Sequence, residues 1–170
     1  RAHFSRRTPD DLAIAVSYFE KAVELDPNYG QAFAALALSY LESHRNQWIG
    51  SLGLSNWQAY ERARRYQRRA MQNPSPLAHQ AASEVLVLVQ RCQDAINEAE
   101  RAIALDPNDA NSYLAMAYAL IFAGRPQKAF GFVEKAMRLD PHYPAYHLFV
   151  LGLAHFGIEQ YEKAATLFER

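Results

Sequence analysis

The sequence predicts an all-α fold, an array of stacked antiparallel helix hairpins, on three observations. A segment repeats: Ala95 to Pro107 returns 34 residues later as Ala129 to Pro141, and an earlier copy runs from Ala15 to Pro27. Within each copy, small and large residues alternate on a helical period, so Ala129, Val133 and Ala136 return to one face of a helix. Each copy also stops at a proline, at Asp26-Pro27, Asn73-Pro74, Asp106-Pro107 and Asp140-Pro141. Proline excludes the helical conformation from the residue before it and cannot continue the hydrogen-bond ladder. A fixed period of this size marks stacked units, each too thin to bury its apolar face alone.

Taken in order, these signals place helices near residues 9–25, 29–44, 56–72, 75–90, 92–105, 109–123, 126–139, 143–156 and 160–170, with Arg1 to Arg7 as the tail of an earlier helix. Thr8-Pro9-Asp10-Asp11 opens the first, its carboxylates set to cap free amides. Alanine on the repeated face (Ala95, Ala99 and Ala102; Ala15, Phe19 and Ala22; Ala164 and Phe168) lets a neighbouring helix come close. After each proline, Asn28, Asn108 or Asp109 can cap the next helix, whose signature is large then small: Phe33, Leu36, Ala37, Tyr40, or Tyr113, Met116, Ala117, Leu120. Two features break the period. Pro27 and Pro74 are 47 residues apart instead of 34, so about 13 residues are inserted, placed at 45–57 where periodicity fails. One extra residue near Pro144 shifts Ala164 to 35 residues after Ala129.

The pattern W-x2-L-G-x2-Y followed by A-x3-F-x2-A and P resembles the tetratricopeptide repeat. It is carried here by Leu148, Leu151, Gly152 and His155 for the first half, and by Ala15, Phe19, Ala22 and Pro27 for the second. The resemblance implies a right-handed superhelical solenoid of about four and a half repeats over residues 1–170. The parts are a partial repeat 1–28, a repeat with the insert 29–75, repeats 76–109 and 110–144, and a partial repeat 145–170. In such arrays the first helix of each hairpin lines the concave face. The lining would then be Gln31, Ala34 and Leu38, then Leu77, Gln80 and Glu84, then Asn111, Leu114 and Tyr118, then Tyr146, Phe149 and Leu153. Asn111 apart, the last two sets are apolar and aromatic, and suit an amphipathic helix or extended peptide, or else internal packing. Some proteins of this kind grip the C-terminal carboxylate of chaperones with Lys, Asn and Arg at inner positions. Ala34, Leu38, Gln80, Glu84, Leu114 and Tyr118 stand there instead, which argues against that partner.

Composition narrows the function classes. Charge balances at 18 basic against 18 acidic residues, so no global field draws the chain to nucleic acid or membrane. No apolar run reaches membrane-spanning length. The single Cys92 excludes an internal disulfide and suits a reducing, cytoplasmic setting, although a disulfide-free secreted protein would read the same. No convergent catalytic set, phosphate loop or cofactor motif is visible. His147 and His155 lie about 12 Å apart along one helix, too far to share a metal, and His79 takes a packing slot.

Two local features remain. Five arginines, Arg62, Arg64, Arg65, Arg68 and Arg69, fall within eight residues of one helix. Arg62, Arg65 and Arg69 form a stripe, either an anion site for phosphate, nucleic acid or an acidic loop, or a solvated face. The insert, with Trp48, Ile49, Leu52, Leu54 and Trp57, is too apolar for a plain linker and either folds back onto the helices or docks a partner.

A narrower resemblance rests on Arg6 to Ala13 running into Tyr18 to Pro27, on the tryptophan-bearing insert before Ala63-Arg64-Arg65, and on Ala123 to Ala129. These resemble the C-terminal repeat region of bacterial adenylate or guanylate cyclase-type regulators and related transcriptional regulators. That likeness implies a non-catalytic sensing or docking segment cut from a larger multidomain protein, with any cyclase activity in an N-terminal part. The expected partner is a protein or peptide in the concave groove. The alternatives are an oligomerisation scaffold, or an anion or nucleic-acid sensor using the arginine stripe.

Overall fold

The computed structural model describes residues 8–169. Among the described residues nine α-helices and one 3-10 helix follow one another without a strand. They are α1 (Pro9–Leu25), α2 (Gly30–Arg45), the 3-10 helix (Ile49–Leu52), α3 (Asn56–Ala70), α4 (Pro76–Leu88), α5 (Cys92–Leu105), α6 (Ala110–Phe122), α7 (Pro126–Leu139), α8 (Ala145–Gly157) and α9 (Tyr161–Phe168). Every boundary lies within two residues of the one the periodicity predicts. The expected helical tail at Arg1 to Arg7 falls outside the described residues. The chain divides into two compact units, residues 1–81 and 82–170, the division falling inside α4.

In the first unit, Thr8 caps α1 by accepting from the Asp11 amide at 3.1 Å, and Pro9 opens the helix where no amide bond is lost. Leu12, Ala15 and Val16 turn inward. The Asp26 carboxylate then accepts from the Asn28 amide at 2.9 Å, closing a tight turn. The expectation that Asn28 caps the next helix is corrected: Tyr29 holds that position without a side-chain bond, and Asn28 instead accepts from Asn73 through its carbonyl at 3.0 Å. Ala59, Ala63 and Ala70, all fully buried, bring α3 against its partners, and a reciprocal cap between Ser55 and Gln58 fixes where α3 begins.

The residues between α2 and α3, 46–55, fall inside the expected 45–57 and are not all loop. The helix α2 has the 16 residues expected of it, where α6 and α8 have 13. Four residues of the insert form the 3-10 helix, which packs on α1 and α2, with Ile49 buried. The insert therefore folds back, with Trp48, Leu52 and Leu54 half-buried and Trp57 already on α3 and exposed.

In the second unit α5 packs on α6, α6 on α7, α7 on α8 and α8 on α9, while α6 also touches α8. The seam is lined by fully buried Ala95, Ala99, Ala102, Ala129, Val133 and Ala136, the slots that the repeat marks. The helix α6 runs between neighbours, so Ser112 and residues 114–120 are all buried. Gly152 takes the glycine slot of the repeat because Phe168 lies against it; a Cβ there would sit 2.5 Å from the ring. The Asp26 turn recurs at Asp106 with the Asn108 amide and at Asp140 with the His142 amide. Asp109 caps α6, as expected, accepting from the Asn111 amide at 3.2 Å. The additional residue near Pro144 lies in the turn between Asp140 and Ala145.

One bend ends α2, α4, α6 and α8 alike. Gln47, Gln90, Gly124 and Glu159 take left-handed backbone angles. The next amide reaches back five residues, Trp48 to Ser43, Arg91 to Leu86, Arg125 to Leu120 and Gln160 to His155, at 2.9 to 3.0 Å. This geometry satisfies the last carbonyls of the helix and reverses the chain for the second helix of the hairpin.

Because the seam admits only small side chains, Ala99→Leu is expected to destabilise the protein by about 1–3 kcal/mol through overpacking, whereas the exposed Ala104→Leu on the same helix stays within about 0.5 kcal/mol of wild type. Urea unfolding followed by circular dichroism measures both; equal effects at the two sites would contradict the seam.

Candidate functional site

In the second unit the expected lining residues come from α6 and α8. Asn111 is exposed at the start of α6. Leu114, 1% exposed, and Tyr118, 8% exposed, belong to the hydrophobic core, so the chain uses them for packing. Tyr146, Phe149 and Leu153 are half-buried and rest on that same core with one side open. The rings of Tyr146 and Phe149 stack, with centroids 6.0 Å apart, and Phe149 also meets Phe168 at 5.8 Å. The structure thus gathers Tyr146, Phe149 and Leu153 as an aromatic shelf on α8. Gln80 is buried and Glu84 half-buried, one turn apart on α4.

One residue escaped the sequence reading. Phe122, 50% exposed, packs on Tyr118 with centroids 4.7 Å apart. It continues the stripe Asn111, Ala115, Tyr118 by one more turn, and that spacing was the available signal.

The arginine stripe has a different placement in the first unit. Arg62 lies 5.7 Å from the centre of the Tyr40 ring, Arg65 5.1 Å from Tyr66, and Arg69 5.1 Å from Phe33. Tyr66 stands between the other two rings, 6.0 Å from Phe33 and 5.8 Å from Tyr40. Arg69 also donates to the Pro27 carbonyl at 2.9 Å. Arg62 and Arg69 therefore fasten α3 to α2 by laying delocalised cations on aromatic faces.

At one end of this ladder Tyr40, 1% exposed, donates its hydroxyl proton to Glu20 at 3.0 Å and accepts from Arg62 at 3.1 Å. One phenol thus joins α1, α2 and α3. Burial pushes its pKa up to about 12, with Glu20 adding to the shift and the Arg62 hydrogen bond opposing it. The Arg62 guanidinium is held further toward its charged form, chiefly by its bond to Tyr40.

The histidines and the cysteine have structural surroundings. His147 is buried beside Tyr143, with ring centroids 5.4 Å apart, and His155 pairs through Nδ1 with Gln160 at 2.9 Å. The Cys92 thiol donates to the Phe122 carbonyl at 3.3 Å, tying the start of α5 to the end of α6. Among the described residues no three His, Cys, Asp or Glu side chains gather as metal ligands, and no helix is long and apolar enough to cross a membrane.

Residues 10–29 match a tetratricopeptide repeat model, and residues 89–170 match the model of anaphase-promoting complex, cyclosome, subunit 3. No curated protein matches the chain in sequence. Among solved structures, YrrB, described as a tetratricopeptide-repeat protein with an unusual peptide-binding site, is 20% identical. The match covers 94% of this chain and 75% of YrrB with a TM-score of 0.52. MamA from Desulfovibrio magneticus RS-1 is 19% identical over 96% of this chain and 84% of its own, with a TM-score of 0.54. Yeast Tom70 is 17% identical over 95% of this chain and 32% of its own, also at 0.54. At these identities the likeness is one of fold.

The raised Tyr40 pKa carries a pH signature. A phenol whose folded pKa exceeds its ordinary 10.0 contributes its full stability below pH 10 and loses it as pH climbs to about 12. Tyr40→Phe is expected to cost about 1 kcal/mol at neutral pH, and the gap in melting temperature from wild type should close between pH 10 and 12. Thermal melts across that range decide it, and a constant gap would refute the assignment.

Proposed function

Because this chain has the tetratricopeptide-repeat fold, we propose that it is a non-catalytic interaction scaffold whose second unit holds a peptide or partner helix along α6 and α8. The observation that carries the reading is the Tyr146–Phe149 stack, two large rings seated on a packed core and left half-open beside Leu153. Rigid aromatic surface of this kind supplies most of the affinity in polypeptide recognition. Asn111 adds a polar group at the far end of α6, where it can bond to a peptide backbone. Peptide binding by YrrB, a protein of like fold, supports the same reading. The stripe Arg62, Arg65 and Arg69 ranks below it as a recognition site, since each guanidinium already lies on a ring.

The finer reading is that the scaffold serves as a docking or sensing segment in a larger cytoplasmic regulator, as the sequence likeness to cyclase-type regulators implies. A second reading is self-association. Its support is the edge-on pair Phe156 and Tyr161, with centroids 5.5 Å apart and more than half of each residue exposed.

Peptides selected from a displayed library against the full chain test the groove. Tyr146→Ala combined with Asn111→Ala should weaken the selected peptides by about tenfold or more while helicity is kept; affinity unchanged in the double variant would remove the groove assignment. Light scattering over a dilution series addresses self-association: a dimer that Phe156→Ser dissolves supports it, and a monomer throughout excludes it.

A further inference from the structure

We infer that the outward face of α3 is a second docking surface, fitted to an acidic polypeptide segment that carries an apolar side chain next to its carboxylates. The helix has three faces with three fates. Ala59, Ala63 and Ala70 face the core, and Arg62 and Arg69 flank it against the aromatic rings of α2. Trp57, Arg64 and Arg68 fall on the opposite side, with the half-buried Tyr60 at its margin, at spacings of three and four.

That side presents an unusual combination. Trp57 is 67% exposed, its ring 5.9 Å from Tyr60, and the Arg64 guanidinium lies 5.6 Å from the centre of the Tyr60 ring. The result is a row of rings with cations along it. Arg64 pairs with Glu61 at 3.3 Å, but an exposed pair one turn apart is weakly held and exchanges readily for a better acid. Arg68 is exposed and, among the described residues, makes no ion pair or ring contact. Five arginines against the single Glu61 give α3 a net charge of +4 (5 − 1).

Charge complementarity selects an acidic occupant, and the number of cations selects its kind. Arg64 and Arg68 lie beside this row and the exposed Arg65 lies past it on the outward side, enough for two or three carboxylates. A nucleic acid, which gains affinity by having many phosphates neutralised, finds three such cations and a chain with no net charge. Trp57 supplies the anchor that a lone acidic stretch would not need, so the occupant brings an apolar side chain to cover it. This surface belongs to the first unit and shares no residue with the shelf on α8, so either can fail alone.

The experiment is fluorescence anisotropy on the full chain with a labelled synthetic peptide of alternating glutamate and leucine. Comparison peptides alternate glutamate with serine and lysine with leucine, and a thymidine dodecanucleotide is the nucleic-acid probe. We expect the glutamate–leucine peptide to bind about tenfold or more tightly than either comparison peptide and the oligonucleotide. Both Trp57→Ala and the Arg64→Ala/Arg68→Ala double variant should weaken it by a similar factor at unchanged helicity, and Tyr146→Ala should leave it intact. The inference is overturned by any of three results: no binding at about 1 mM peptide, equal binding in the variants, or tighter binding of the oligonucleotide.

Discussion

Two helices share a close seam only where the side chains between them are small, and most of this molecule follows from that condition. Alanine at Ala95, Ala99, Ala102, Ala129 and Ala136 lets helix backbones approach, with Val133 the largest residue in the row. A methyl group buries little apolar area, so an alanine seam alone stabilises a pair of helices weakly. The remaining burial has to come from large side chains at the margins, and there the chain places Tyr113, Phe130, Phe132, Tyr146 and Phe149, half-buried against the core. Aromatic residues at the edge of a packed layer keep one side open. Close packing inside and adhesive surface outside are therefore two results of one choice of residue size.

The first unit meets the same condition and adds to it. Its α3 carries buried Ala59, Ala63 and Ala70, yet it joins a longer α2, and its own Tyr66 stands in a row between Phe33 and Tyr40 of that helix. Arginine fills the space that a following aliphatic residue would take, with its stem packed and its planar head on a ring. The charge density of α3 thus divides between an inner flank that holds the fold and an outer flank that faces solvent. Tyr40 closes the inner flank by bonding to Glu20 and Arg62 at once.

Much of this was legible in the sequence because the fold depends on spacing, and spacing is what a sequence records. The seam alanines, the proline stops and the extra residue near Pro144 all mark real boundaries. What spacing leaves open is which neighbour a face meets. The stripe Arg62, Arg65, Arg69 was visible as a stripe, but the rings beneath it belong in part to α2, and only tertiary pairing puts them there. Leu114 has the right period for a surface shelf, yet α6 is enclosed on several sides and the residue is buried. Asn28 follows its proline by one residue and Asp109 by two, and only the second stands at the N-cap, the position that Tyr29 fills in the first unit.

The bend that closes each first helix has a consequence for how the chain tolerates change. Gly124 takes the left-handed angle without penalty, but Gln47, Gln90 and Glu159 hold it with a Cβ, a conformation that costs roughly 1 kcal/mol apiece. At these three corners the native chain stays below the stability it could reach. Relaxing them with glycine would harden the scaffold while leaving every adhesive surface untouched. Robustness and recognition occupy separate residues here, so either property can drift in evolution without dragging the other along.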